Sequence, residues 1–261
     1  MSKRLAIYTA LTGGYDTLRQ PESVRKDADY FCFSNDIPEE HVGVWQIRPI
    51  TFSGSNPVLA SRFPKLNPHL VLPEYDVSLY ADANLTLAPE LDEAIDRSLA
   101  GESPCAMVPH PNRTGTFEEG LFVLRHSMGN PFRVYRQMLK LARSGFRDDA
   151  GLFVCSLIFR RHLDPCVIAF SEGWWRRFLA GAKRDQLSVM PALEEAGLHP
   201  SILIPSDYIL RNTMPHTTRN KHSFVWHGWH FAARLVLTPF ATKWIARKSK
   251  CLRKSMGSIG L

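Results

Sequence analysis

The chain has 261 residues, 44% hydrophobic and 22% charged, the composition of an ordinary folded protein large enough to bury a substantial core in one large domain or two small ones. Its five cysteines, Cys32, Cys105, Cys155, Cys166 and Cys251, form no CxxC pair, which argues against a disulfide framework or a structural zinc site and for a reducing compartment. The net charge of +7 is uneven: ten of the 32 Lys and Arg follow Asp207, the last acidic residue, which argues against a body-wide nucleic-acid surface and for a local anion or membrane contact.

The first apolar run, residues 5–11, is too short for a signal sequence and reads as a strand. It leads into Thr12-Gly13-Gly14-Tyr15-Asp16, where glycines permit positive φ and let backbone amides approach a phosphate; an ordinary turn explains the same residues. Further apolar runs follow at 30–34 and 44–50. A helix is expected over 60–69, carrying Arg62, Lys65 and His69. The run 77–83 then ends in Asp82, with Asn84 two residues on. Hard oxygen ligands at a strand's carboxyl end are suited to a divalent cation and a bound anion, with the basic helix in reach of phosphate oxygens. The competing reading is an aspartate capping the next turn.

A helix is expected over 89–99, then a strand at 103–109 followed by the polar patch His110-Pro111-Asn112-Arg113 and Glu118-Glu119. Runs at 120–125, 152–159 and 201–205 complete the strand candidates, and a helix is expected over 131–142. Asp148-Asp149-Ala150-Gly151 reads as a turn rather than a metal pair. Trp174-Trp175 offers flat faces for sugar rings. Asp185-Gln186, at an expected helix start, offers hydrogen bonds to vicinal hydroxyls, although a lone aspartate there also serves as an N-cap. Strands alternating with helices indicate an α/β sandwich.

Beyond about residue 208 the composition turns to His, Trp and basic residues. His216, His222, His227 and His230 match neither HExxH nor a finger and read as loop histidines, of which one could complete a metal site. Residues 231–254 combine an aromatic apolar face with a basic end that suits an anionic membrane; a helix packed on the domain with a solvated tail is the alternative. No stretch reaches the ~20 apolar residues of a membrane span. The expected location is the cytoplasm, with peripheral contact at the inner membrane face if the tail docks there.

Taken in order, these blocks resemble a nucleotide-sugar glycosyltransferase of the GT-A type, and more narrowly the DUF616 family. The resemblance runs through Tyr8-Thr9-Ala10 with Gly13-Gly14-Tyr15-Asp16, Asp29 to Asp36, Trp45-Gln46-Ile47, Arg62 with Lys65, Tyr80-Ala81-Asp82, His110 and Arg113, Glu118-Glu119 and Arg184 to Ser188, over roughly residues 5–190. The layout is also similar to glycogenin-type retaining transferases. The resemblance implies a single Rossmann-type domain over 1–215, with a mixed central sheet flanked by helices, and a basic helical extension over 216–261. It implies a UDP- or GDP-sugar donor, a glycan or lipid-linked acceptor, and Mn²⁺ or Mg²⁺ at Asp82 and Asn84, with His216 or His222 as the further ligand. Thr9, Tyr15 and Asp36 would line the nucleotide pocket, and Arg62 and Lys65 would approach the phosphates. His110, Arg113 and Trp175 would contact substrate, while Asp185, Gln186 and Glu119 would serve the transferred sugar. Asn84 departs from the usual second acid, which keeps open a non-catalytic nucleotide- or sugar-binding module attached to a membrane. A Rossmann-type methyltransferase lacks its glycine fingerprint here.

Overall fold

The computed structural model describes residues 4–14, 16–54, 56–126, 128–215 and 243–244. Eight strands form one mixed sheet: β1 (Leu5–Ala10), β2 (Ala28–Phe33), β3 (His41–Val42), β4 (Trp45–Arg48), β5 (Val77–Ala81), β6 (Cys105–Pro109), β7 (Phe153–Arg160) and β8 (Ser201–Ile202). Their order is β3-β4-β2-β1-β5-β7-β6-β8. β4, β2, β1 and β5 are parallel, β7 runs against both β5 and β6, and β8 is parallel to β6. The α/β architecture with a mixed sheet flanked by helices is as expected.

The central strands are continuous apolar runs because both faces of the sheet are covered. One face sends Ala6, Tyr8, Phe31, Tyr80, Met107 and Ile158 into a core with helices α1 (Pro57–Leu66), α6 (Pro165–Ala180) and α7 (Val189–Ala196). The alternate residues Ile7, Tyr30, Leu79, Ala106 and Phe159 face the other way, onto α3 (Glu90–Ala100) and α8 (Asp207–Asn212). A smaller cluster joins α4 (Thr116–Arg125) and α5 (Pro131–Arg143) through Phe117, Val134 and Met138.

Two expectations change. The helix expected over 60–69 is two pieces, α1 and the short α2 (Pro68–Val71). Asn56 caps the start of α1 through Val58 and Leu59 N–H, and Asn67 closes its end; Pro68 has no N–H to continue the ladder and starts α2 instead. The run 120–125, expected as a strand, lies inside α4, whose buried residues Thr116, Phe117, Glu119, Gly120, Val123 and Leu124 repeat with helical period. The helices expected over 89–99 and 131–142 are α3 and α5. The extension expected over 216–261 lies outside the described residues except for Lys243 and Trp244. The Trp244 ring sits 5.8 Å from that of Tyr135 on α5. Among the described residues, no helix is long and apolar enough to cross a membrane.

This topology creates one switch point. From β1 the chain builds outward through β2 and β4, then returns to place β5 on the other side of β1. The crevice outside the carboxyl ends at such a reversal is where open α/β sheets bind ligands. Asp82 immediately follows β5, and the His110 loop follows β6 on the same edge of the sheet.

Candidate functional site

At the carboxyl end of β5, the Asp82 backbone stays in the sheet, its N–H donating to Ser156 O at 2.8 Å. Its Oδ1 accepts from the Tyr80 hydroxyl at 2.7 Å and from Lys65 Nζ at 3.2 Å. The same ammonium reaches Asp185 Oδ2 at 2.7 Å, where Arg62 Nε approaches to 3.3 Å. Arg62 and Lys65 are one turn apart on α1 and therefore share a face. That face meets a carboxylate from β5 and a second one 120 residues from Lys65 in sequence.

Asp185 opens a 3₁₀ turn (Asp185–Leu187). Trp174 Nε1 donates to its carbonyl at 3.1 Å, and Gln186 N–H donates to its Oδ1 at 3.0 Å. The Gln186 side chain donates to Phe153 O. Lys65 is 1% exposed and Asp185 9%, so neither charge is well hydrated and each depends on the other. Burial pushes the Asp185 carboxyl up, but Lys65 and Arg62 outweigh it and hold the group well below the usual carboxylate range. Burial lowers the Lys65 ammonium, yet Asp185 and Asp82 leave it above its ordinary value. Burial, reinforced by Asp82, drives the Tyr80 phenol well up. The group is therefore a fixed arrangement of two carboxylates and two cations, with a neutral hydroxyl donating into it.

Behind it stands a basic residue that sequence reasoning missed. Arg160, at the end of β7, is fully buried. Its Nη2 donates to Lys65 O at 2.8 Å and to the Tyr8 hydroxyl at 2.6 Å. The guanidinium thus lies at the negative end of the α1 dipole and fixes the turn that carries Lys65. The signal was an arginine ending the largely apolar run Phe153–Arg160.

The patch after β6 forms a second group on the same edge. The Arg113 guanidinium pairs with Glu119 Oε2 through Nε and meets the His110 ring through Nη2. His110 Nδ1 accepts the N–H groups of Asn112 and Arg113, each at 3.1 Å. Burial and then Arg113 push the imidazole down to about 4, so it is neutral at pH 7. Burial raises the Glu119 carboxyl against the pull of Arg113, and Glu119 also feels Arg184 and Asp185, which places the two groups side by side.

The other expected residues fall as follows. Thr9 is buried with no partner for its hydroxyl, beside Asp82 in a crevice that also takes Arg19 and Trp45 and holds about 10 Å³. Asp36 accepts the Gly13 N–H at 2.5 Å, tying the loop after β2 to the glycine turn, where Gly13 and Gly14 take φ of 70° and 62°. Trp175 belongs to an aromatic cluster, 5.7 Å from Phe52, 5.6 Å from Phe63 and stacked at 5.7 Å on Phe178. Asp148 accepts from Thr116 and Phe117 N–H, at 2.7 and 2.8 Å, and so caps α4 rather than pairing with Asp149. Asn84 Nδ2 donates to Met214 O at 3.0 Å, and Met214 N–H donates to Asn84 O at 2.9 Å; this returns the chain near residue 214 to the Asp82 loop. Tyr15, His216 and His222 lie outside the described residues.

Among the described residues, no group of three or more His, Cys, Asp or Glu could hold a metal ion. What Asp82 and Asn84 offer is one carboxylate and one amide, a hard-oxygen set. It fits a divalent cation that takes its other ligands from phosphate and water; it does not make a protein-built cage.

No family model matches the chain, and no curated protein matches it. Among solved structures, mouse xyloside xylosyltransferase 1 in its apo form is similar over 79% of this chain and 80% of that one, at 11% identity and a TM-score of 0.36.

Proposed function

We propose that the chain is a nucleotide-sugar-dependent glycosyltransferase, of the kind the DUF616 resemblance implies. The observation that carries this reading is the Asp82–Lys65–Asp185 arrangement, with Arg62 beside it, at the switch-point crevice. In such a transfer negative charge builds on the departing nucleoside diphosphate, and offsetting it is the main electrostatic demand. Arg62, a third exposed, is the cation placed to do so. Asp82 and Asn84 would hold Mn²⁺ or Mg²⁺, which would supply further positive charge at the diphosphate. Asp185, kept ionised by Lys65, and Gln186 would face the donor sugar, with Glu119, Arg113 and His110 on the neighbouring wall toward a glycan or lipid-linked acceptor. The crevice at Asp82 holds only about 10 Å³, so a donor would need it to widen.

A non-catalytic nucleotide- or sugar-binding module is the second reading, favoured by the Asn84 amide that already holds the Met214 carbonyl. Screening UDP- and GDP-sugars for donor hydrolysis with Mn²⁺ separates the two. Turnover that falls ~10²-fold or more in Asp82→Ala, with weaker Mn²⁺-dependent UDP or GDP binding, supports the transferase. Unchanged turnover in that variant overturns the role of Asp82. Binding without turnover across the panel selects the module.

A further inference from the structure

A cleft of about 500 Å³ opens between α5, α6 and α7, away from Asp82. That volume is in the range of small-molecule sites. Its walls carry five cationic side chains, Arg133, Arg136 and Lys140 from α5 and Arg176 and Arg177 from α6, against the single carboxylate of Glu195. Glu195 is already taken, by Arg176 at 2.5 Å and Arg177 at 2.7 Å. Among the described residues, Arg133, Arg136 and Lys140 make no ion pair.

Arg133, Arg136 and Lys140 stand at successive three- and four-residue steps on one helix face, where like charges repel and cost helix stability. An anion bridging them would relieve that repulsion. Guanidinium forks match phosphate oxygens in bidentate geometry, with lysine adding a point charge. The floor of the cleft also leads to the Asp185 turn. Gln137, between the basic residues on α5, donates through Nε2 to Leu187 O at 3.0 Å and to Ser188 Oγ at 3.2 Å, and its Oε1 accepts from Ala182 N–H at 2.8 Å. Gln137 thereby clamps both ends of the segment that presents Arg184, Asp185 and Gln186.

We propose that this cleft is a second binding site, for a phosphate-bearing anion, built on the α5 stripe and linked to the Asp185 turn through Gln137. The test measures inorganic pyrophosphate binding by calorimetry at low salt, with hydrogen exchange locating the site. Separate arms use phosphatidylcholine vesicles with and without phosphatidate. The expected result is protection of α5 amides by pyrophosphate or by phosphatidate vesicles, with affinity falling at least about tenfold in the R136E/K140E double variant, since two charge-assisted contacts are removed and reversed in sign. Both residues are exposed, so the variant should melt like the parent; K140Q gives a smaller loss in the same direction. Pyrophosphate alone giving the effect identifies a soluble ligand, and phosphatidate vesicles alone identify a lipid phosphate. No α5 protection by either probe, or binding undiminished in R136E/K140E, overturns the proposal.

Discussion

Lys65→Met tests the central ion group most directly. Methionine keeps an unbranched side chain one heavy atom shorter at a position that is 1% exposed, and removes the ammonium with its charge and its two hydrogen bonds. Asp185 then loses its 2.7 Å partner and keeps Arg62 at 3.3 Å, while Asp82 keeps the Tyr80 hydroxyl. Removing one member of a buried pair costs about 3–5 kcal/mol, and the surviving arginine argues for the lower end, about 3 kcal/mol. In urea unfolding at pH 7 this is a midpoint drop of roughly 1–2 M. Asp185→Asn in the Lys65→Met background should recover part of the loss, with a coupling energy of at least about 1 kcal/mol. The pH dependence follows. In the parent the depressed Asp185 carboxyl stabilises the fold above its unfolded value, about 3.9, and that contribution is lost as pH falls through the folded value. In Lys65→Met the carboxyl loses one of the cations that depress it and keeps Arg62, so its folded value rises toward the unfolded one and the gap between the two proteins narrows as pH falls below about 4. Losses that add to within about 0.5 kcal/mol in the double variant, or a gap that stays constant with pH, would refute the buried ion group.

Two further stability measurements probe what surrounds the site. His162 is fully buried, its Nε2 donates to Leu72 O at 3.0 Å, and burial lowers the imidazole to about 4. The unfolded chain takes up that proton near 6.5 and the folded chain only near 4, so this contribution is complete above pH 6.5 and declines toward pH 4 by at most about 1.4 kcal/mol per pH unit. Unfolding of the parent and His162→Gln at pH 7, 5.5 and 4.5 should show a shallower slope in the variant; equal slopes would show that His162 is not buried neutral. Asp148→Ala removes the acceptor for two N–H groups at the start of α4 and should cost about 1–2 kcal/mol. A thermal melt within error of the parent would remove Asp148 from the cap.

Whatever was legible in the sequence was local. The run ending in Asp82 announced a strand end, and Arg62 with Lys65 announced a basic helix face, because each depends on neighbours within one element. The stretch 120–125 misled for the same reason: Leu121-Phe122-Val123-Leu124 fits a strand and a helix alike, and the better clue was Glu118-Glu119 ahead of it, acids in a first helical turn. The pairing of Lys65 with Asp185 was illegible because nothing local links residues 120 positions apart. That pairing changes the chemistry assigned to Lys65. An ammonium expected to meet a diphosphate instead holds two carboxylates, and Asp82 gives it the same Oδ1 that accepts from Tyr80. Under the proposed function, a divalent cation would take Asp82 through Oδ2, the oxygen that Lys65 and Tyr80 leave open. A divalent cation should bind more tightly when a nucleoside diphosphate supplies the remaining oxygens, because Asp82 and Asn84 alone offer it too few.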